Sequence, residues 1–285
     1  MTRKVALIGA DGQLGQEVAT AFECNGDEVC RLSHDRVEIS DIDSIRKALT
    51  ALQPQIVVNT AAFHNVEKCE ADPTKAFAIN AIGSRNMAQV AEETHAIIVH
   101  VSTDYVFDGA KGKPYLESDL PNPLNVYGNS KLAGEHFVRS MAARHFVLRT
   151  SAIYGKHACR AKGGLNFVDL MRKLASERKE VRVVDSEFVS PTPAKSIAQS
   201  IIKLCGCEAY GLYHATAEGF CSWYEFAAEI FRLTGATVKL MPAGPNEFPA
   251  KVARPKYSVL ENCQLKKIGL NVFRPWQEGL SDYLM

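Results

Sequence analysis

Tyr127-Gly128-Asn129-Ser130-Lys131 carries the residue types of a proton donor and its helper. If these five residues are helical, Tyr127 and Lys131 stand at i and i+4 on one face with their side chains close together. An ammonium beside a phenol favours the phenolate and draws the tyrosine pKa down from its reference of about 10 toward working pH. The same spacing also occurs on ordinary solvated helix faces, so its meaning depends on the surroundings. Ser102-Thr103-Asp104-Tyr105 follows the apolar run Ile97–Val101, which reads as a strand. In open α/β sheets ligands bind outside the carboxyl ends of strands. A hydroxyl there can hydrogen-bond a carbonyl oxygen beside Tyr127, and plain strand capping is the bland alternative.

The elements that must position these groups begin at the N-terminus. Lys4–Ile8 is a short apolar run fit for a buried parallel strand. Gly9-Ala10-Asp11-Gly12-Gln13-Leu14-Gly15 follows, and then a helical pattern through Val18, Ala19, Ala21 and Phe22. Strand, glycine turn and helix in this order point to dinucleotide binding. The glycines let the backbone approach a pyrophosphate, and the helix N-terminus offers it free N–H groups and a positive dipole end. The second strand is Glu28–Leu32. NAD-binding folds usually carry an acidic residue near its end. Here Ser33 and His34 stand there with Arg31 and Arg36 nearby, which favours NADPH and leaves NADH as the alternative.

Asp41 caps a helix over Ile42–Leu52, and Pro54–Ala62 reads as a strand ending in small residues that let a flat cofactor pass. Phe63-His64-Asn65 then starts a loop in which His64 is a candidate substrate contact. Pro73–His95 reads as one long helix, with Asn80 inside its apolar pattern as a buried, hydrogen-bonded amide. Lys111–Asn125 reads as an exposed loop, and Phe146–Ser151 as a further strand. Strand and helix thus alternate about five times in the first 150 residues, the pattern of an α/β fold with a doubly wound parallel sheet. After Tyr154-Gly155 comes a polar loop, His157–Gly164, whose basic residues could face a phosphate. A helix at Asn166–Ser176, a strand at Val181–Val184 and a helix after Pro191-Thr192-Pro193 follow. Residues 1–150 are the expected dinucleotide-binding domain. Residues 151–285, where Pro242, Pro245, Pro249, Pro255 and Pro275 break up the pattern, are the expected smaller substrate domain, with some segments packing back on the sheet.

Composition narrows the function classes. The 285 residues are enough for one large or two smaller cores. A net charge of +1 gives no sign of a nucleic-acid or membrane partner. No apolar run approaches the roughly 20 residues that cross a bilayer, and residues 1–10 read as a strand rather than a signal peptide. The eight cysteines are scattered and fit neither zinc-ribbon nor CxxC spacing. They read as reduced thiols of a cytoplasmic protein, and no metal site is expected.

Taken together, the motifs resemble those of the extended short-chain dehydrogenase/reductases, and within them the dTDP-4-dehydrorhamnose reductases. The resemblance spans nearly the whole chain. It is carried by GxxGxxG at 9–15, NTAA at 59–62, STDYVFDG at 102–109, PLNVYGNSKLAGE at 123–135, RTSAIYG at 149–155, SPT at 190–192 and ARPKYSVL at 253–260. The pair STDYVFDG and PLNVYGNSKLAGE is specific, whereas GxxGxxG alone is not. The resemblance implies a Rossmann fold, NADPH or NADH, and reduction of a 4-keto group on a nucleotide-linked 6-deoxyhexose. It implies Thr103, Tyr127 and Lys131 as catalytic residues. Gly9, Gly12, Gln13 and Leu14 would face the pyrophosphate, and Glu38 and Ile39 the adenosine. Ala61, Ala62 and Phe63, with Tyr127 and Lys131, would lie along the cofactor, and His64, Thr103, Asp104 and Ala152 toward the sugar. A homodimer is one open form of the assembly. The family often has Trp in RTSWVYG where this chain has Ala152, which removes an apolar contact and puts the identity of the sugar in doubt; the 157–164 loop is also longer than expected. Two alternatives remain: another nucleotide-sugar epimerase, dehydratase or ketoreductase of the same fold, or a non-catalytic subunit like the regulatory subunit of methionine adenosyltransferase.

Overall fold

The computed structural model describes residues 2–159, 163–244, 247 and 251–285. Six strands form the main sheet: β1 (Lys4–Ile8), β2 (Glu28–Leu32), β3 (Ile56–Asn59), β4 (Ile97–Thr103), β5 (His145–Thr150) and β6 (Gly211–His214). All pairings are parallel, in the order β2-β1-β3-β4-β5-β6. Both faces of the sheet are covered, as parallel sheets require. Val5, Leu7, Val58, Val99, Phe146 and Leu148 enter one core, and Ala6, Ile8, Val57, Ile98 and Val147 the other, an alternation of successive side chains between faces.

The helices follow from caps and stripes. α1 (Gln13–Cys24) starts directly after the glycine turn. α2 (Ile42–Leu52) is capped by Asp41, whose side chain accepts from Asp43 N–H at 3.0 Å. α3 (Val66–Ala71) and α4 (Pro73–Phe77) are short. A π turn at Ala78–Ile82 joins α4 to α5 (Gly83–Glu93). The single helix expected over Pro73–His95 is therefore interrupted in hydrogen-bond pattern and ends at Glu93. The π turn directs Asn80 at the loop after β3: its Oδ1 accepts Phe63 N–H at 2.8 Å, and its Nδ2 donates to Phe63 O at 2.9 Å and Ser130 Oγ at 3.0 Å. Such insertions often mark functional sites. α6 (Val126–Met141) is capped by Asn125, which accepts from Gly128 N–H at 2.9 Å.

α7 (Phe167–Glu177) and α8 (Ala194–Leu204) come next, then α9 (Trp223–Thr234), α10 (Cys263–Lys267) and α11 (Trp276–Leu284). α1 and α8 cover one face of the sheet through Val18, Phe22, Ile197 and Ile201, while α2, α5 and α6 cover the other through Ile45, Leu49, Met87 and Val138. A third core gathers Met171, Phe226, Ile230, Trp276 and Leu280 from α7, α9 and α11. Beside it the strand pair Glu180–Val183 and Lys239–Pro242 runs parallel. Residues 111–125 are irregular, as expected, but not simply exposed: Tyr115 is buried and stacks on Phe107 with centroids 4.1 Å apart, and its N–H bonds Val259 O at 2.9 Å. An aromatic side chain inside a polar stretch gave the loop something to bury. All eight cysteines are free thiols. Among the described residues no helix is long and apolar enough to cross a membrane.

α6 is fixed to the sheet by a buried ion pair. Arg149 on β5 donates to Glu135 on α6 through Nη2 at 2.7 Å and Nε at 2.9 Å, with the two side chains 2% and 1% exposed. Ser102 on β4 donates to the same carboxylate at 2.5 Å. Removing one partner of such a pair leaves a buried charge, so Glu135→Ala is expected to cost roughly 3–5 kcal/mol. Replacing both Glu135 and Arg149 with apolar residues is expected to cost less. Denaturant midpoints of the three proteins check this, and an unchanged midpoint for Glu135→Ala would contradict it.

Candidate active site

The sheet order reverses at β1, whose neighbours are β2 on one side and β3 on the other. A crevice opens outside the carboxyl ends of the strands at such a switch point. At the end of β1 Gly9 has φ +76°, and a Cβ there would lie 2.7 Å from Ala61 N. Gly15 lets α1 press against the turn, since a Cβ on it would stand 2.9 Å from Ala10 Cα. Gly12 precedes α1 without a side-chain cap, and the first turn holds no acid, so the helix offers its N–H groups to the crevice. Gln13 Nε2 donates to Gly155 O at 3.3 Å and His157 O at 3.2 Å, joining the turn to the polar loop.

Thr103 at the end of β4 and Tyr127 and Lys131 on α6 line the same crevice, of about 360 Å³. Tyr127 packs edge-on to Tyr105 at 5.8 Å. Burial pushes the Tyr127 phenol above its ordinary value, and a hydrogen bond with Thr103 works against that rise. The expected acidification by Lys131 is absent from this arrangement. Lys131 Nζ turns instead to Val101 O at 2.6 Å and lies 3.4 Å from His100 Nε2. Burial lowers the Lys131 pKa to about 8, against the attraction of Glu135.

His100 was not singled out in the sequence, although a histidine inside the apolar strand Ile97–Val101 was the signal. It is fully buried and stays neutral, because desolvation, with the Lys131 charge behind it, holds it well below the ordinary imidazole range. Asn59 Oδ1 accepts Ala61 N–H at 3.0 Å, so the Asn59 amide nitrogen, 3.1 Å from His100 Nδ1, is the donor. That makes Nδ1 the acceptor and puts the His100 proton on Nε2; since an ammonium has no lone pair, the 3.4 Å approach of Lys131 Nζ to Nε2 is a close contact rather than a hydrogen bond.

Of the other expected residues, Gly12, Gln13, Leu14, Ala62, His64, Asp104 and Ala152 line the crevice. Ala152 does so with a left-handed backbone, φ 43°. Gly9, Ala61 and Phe63 are not part of its lining; Gly9 packs against Ala61, and the Phe63 backbone is held by Asn80. Glu38 and Ile39 stand apart from its lining: Glu38 Oε1 takes Ser40 N–H at 3.0 Å and Ser40 Oγ–H at 2.7 Å, and Ile39 is buried in the core under α2 and α5. At the end of β2, Arg31 is held by Glu23 at 2.8 Å, while Arg36 is exposed. The sequence reading missed Glu67, Tyr105, Trp223 and Arg254, which also line the crevice. Arg254 donates to Glu67 across 187 residues of chain, a contact that no local pattern encodes. In the polar loop, Cys159 Sγ lies 3.9 Å from His64 Nε2; the basic Arg160 and Lys162 fall outside the described residues.

A parallel sheet opening at a strand reversal, with a phenol and a hydroxyl lining the crevice there, defines a Rossmann-type protein. The family model described as the RmlD substrate binding domain matches residues 3–285, and the chain belongs to that family. The spore coat polysaccharide biosynthesis protein SpsK of Bacillus subtilis (strain 168) is 40% identical over 281 residues, covering 99% of this chain and 96% of that protein. A dTDP-4-dehydrorhamnose reductase of Streptomyces griseus is 34% identical, covering 97% of this chain and 91% of its own. Among solved structures, the Bacillus anthracis str. Ames dTDP-4-dehydrorhamnose reductase in complex with NADP superposes with a TM-score of 0.95 at 36% identity, covering 100% of this chain and 99% of that one.

The unusual environment of Lys131 is measurable. Its side chain is expected to carry charge below pH about 8 and to lose it as pH rises through that value, well before an ordinary lysine at 10.5. In the cofactor-free protein with 13C-labelled lysine, one ε-carbon resonance is expected to titrate near 8 and to vanish in Lys131→Met. Titration of every lysine at the ordinary value would contradict the geometry.

Proposed function

We propose that this chain reduces the 4-keto group of a nucleotide-linked 6-deoxyhexose, with Tyr127 giving the proton that the carbonyl oxygen receives. The chain is an NAD(P)H-dependent oxidoreductase, and NADPH, with NADH as the alternative, is the cofactor that its likeness to the NADP-bound Bacillus anthracis enzyme supports. The observation that carries the proposal is the convergence of Thr103, Tyr127 and Lys131 on one crevice beside the glycine turn. The sugar class rests on the 34% identity to a dTDP-4-dehydrorhamnose reductase over nearly the whole chain.

The residues present fit a dinucleotide. Gly9 and Gly12 leave room where a side chain would stand, and the uncapped start of α1 offers N–H groups to a diphosphate. Glu38 and Ile39 reach an adenosine through their backbone, and Arg36 is suited to a 2′-phosphate. NADPH supplies the hydride when bound. Lys131 would hold the nicotinamide ribose and, from there, lend its charge to Tyr127. Tyr127 O–H protonates the substrate oxygen, and Thr103 orients that oxygen. Residues 1–150 hold the cofactor, and residues 151–285 supply the sugar side through Ala152, Trp223 and Arg254. Ala152 leaves space beside the sugar, which is consistent with a 6-deoxyhexose other than that of the named rhamnose enzymes.

The protein is to be incubated with NADPH and dTDP-linked 4-keto-6-deoxy sugars, with and without a 3,5-epimerase. One NADPH consumed per sugar reduced is the expected result. Isomerised or dehydrated sugar without NADPH loss would point to the epimerase and dehydratase class. No turnover on any keto-sugar, with a co-purifying catalytic partner, would point to a regulatory subunit.

A further inference from the structure

Asp104 is buried beside Thr103, and its carboxylate serves no role in the mechanism above. We propose that Asp104 acts as a neutral acid that donates its proton to the Thr103 hydroxyl, freeing Thr103's own hydrogen for the substrate's carbonyl oxygen. The proposal rests on the keto-reductase reading of this crevice and deepens it by assigning a positioning residue.

Three hydroxyls, each from a different segment, surround this carboxyl group. Oδ2 accepts from Ser151, just after β5, at 2.9 Å and from Ser258 in the C-terminal half at 2.5 Å. Oδ1 lies 3.0 Å from Thr103 Oγ1. The residue is 4% exposed, and among the described residues no lysine or arginine is recorded in an ion pair with it. A carboxylate so placed has lost water and gained no cation. Its charge acts on the phenols of Tyr105 and Tyr127. Burial raises its proton affinity, and the hydroxyl bonds offset that only in part.

Counting donors places the proton. Thr103 Oγ1 has one hydrogen and two lone pairs. Tyr105 N–H takes one lone pair at 3.2 Å. If Asp104 were ionised, the Thr103 hydrogen would be committed to Oδ1, and Thr103 could donate nothing into the crevice. With the proton on Oδ1, where no serine competes, Thr103 accepts from Asp104 and Tyr105, and its hydrogen is free to turn from the Tyr127 oxygen, its partner in the crevice, to the carbonyl oxygen of the substrate. Charge favours the same state. Tyr127 becomes phenolate as it gives up its proton, and a negative Asp104 opposes that. A neutral Asp104 does not. Asp104 keeps its proton throughout: the hydride adds to carbon and the Tyr127 proton to oxygen, and the balance is complete without it. The three motifs STDY, RTS and PKYS thus converge on one carboxyl group.

The test is infrared spectroscopy of the NADPH-bound protein at neutral pH, with Asp104→Asn as the difference reference. A protonated-carboxyl carbonyl band present in the native protein and missing in Asp104→Asn is expected. The amide reproduces the donor to Thr103 and the acceptor for both serines, so Asp104→Asn should keep turnover within about tenfold, while Asp104→Ala loses about a hundredfold or more. No such band at neutral pH, or Asp104→Asn as inactive as Asp104→Ala, would overturn the proposal. If Asp104→Asn does not fold, Ser258→Ala replaces it. Loss of one hydrogen bond should shift the same band, whereas an ionised group has none to shift. The band does not depend on the substrate, so a wrong sugar assignment leaves it in place, and a wrong protonation state leaves keto-sugar turnover in place.

Discussion

Glu135 and Arg149 meet in the dry layer between α6 and the sheet, and the geometry of the crevice follows from that meeting. Tyr127, Lys131 and Glu135 are spaced by four residues, so they form one stripe on the inner face of α6. Anchoring the last member to β5, with Ser102 of β4 on the same carboxylate, sets the rotation of the helix about its axis. The other two members then face the end of β4, where Thr103 sits. Asn80 fastens the opposite side by joining Ser130 of α6 to the loop after β3. A buried ion pair is a weak source of stability, and here its use is orientation.

Desolvation governs the charges around this stripe. Tyr127 and Asp104 are raised, and Lys131 and His100 are lowered. Each shift favours the uncharged form, so the crevice is poised close to neutrality. The ammonium of Lys131 is turned from the phenol toward Val101 O, which separates two functions that the sequence motif merges. In the proposed mechanism a nicotinamide ribose would offer Lys131 a polar partner nearer to Tyr127.

Much of this was legible in the sequence, for physical reasons. β1 and β2 are apolar or alternating runs bounded by glycine and polar residues, and Asp41 and Asn125 carry the oxygens that caps require. The four-residue spacing of Tyr127 and Lys131 needs only a helix to become a site. Asn80 betrayed itself as an amide among apolar neighbours. The π turn did not, because one extra residue per turn scarcely alters an apolar pattern over a helix of that length. β6 is four residues in a stretch of mixed texture, and only its partner β5 makes it a strand. Arg254, Trp223 and Glu67 reach the crevice from distant segments, and the Asn59–His100–Lys131 contact needs three elements in register before any of it exists.

In the proposed reaction the hydroxyl of Tyr127 delivers a proton beside a bound nicotinamide. Comparing native protein with Tyr127→Phe, in NADPH affinity and in single-turnover reduction of the keto-sugar, tests this most directly. The predicted result is near-native NADPH binding with the reduction slowed by about 10²–10⁴-fold. A Tyr127→Phe protein that reduces the sugar at close to the native rate would contradict it.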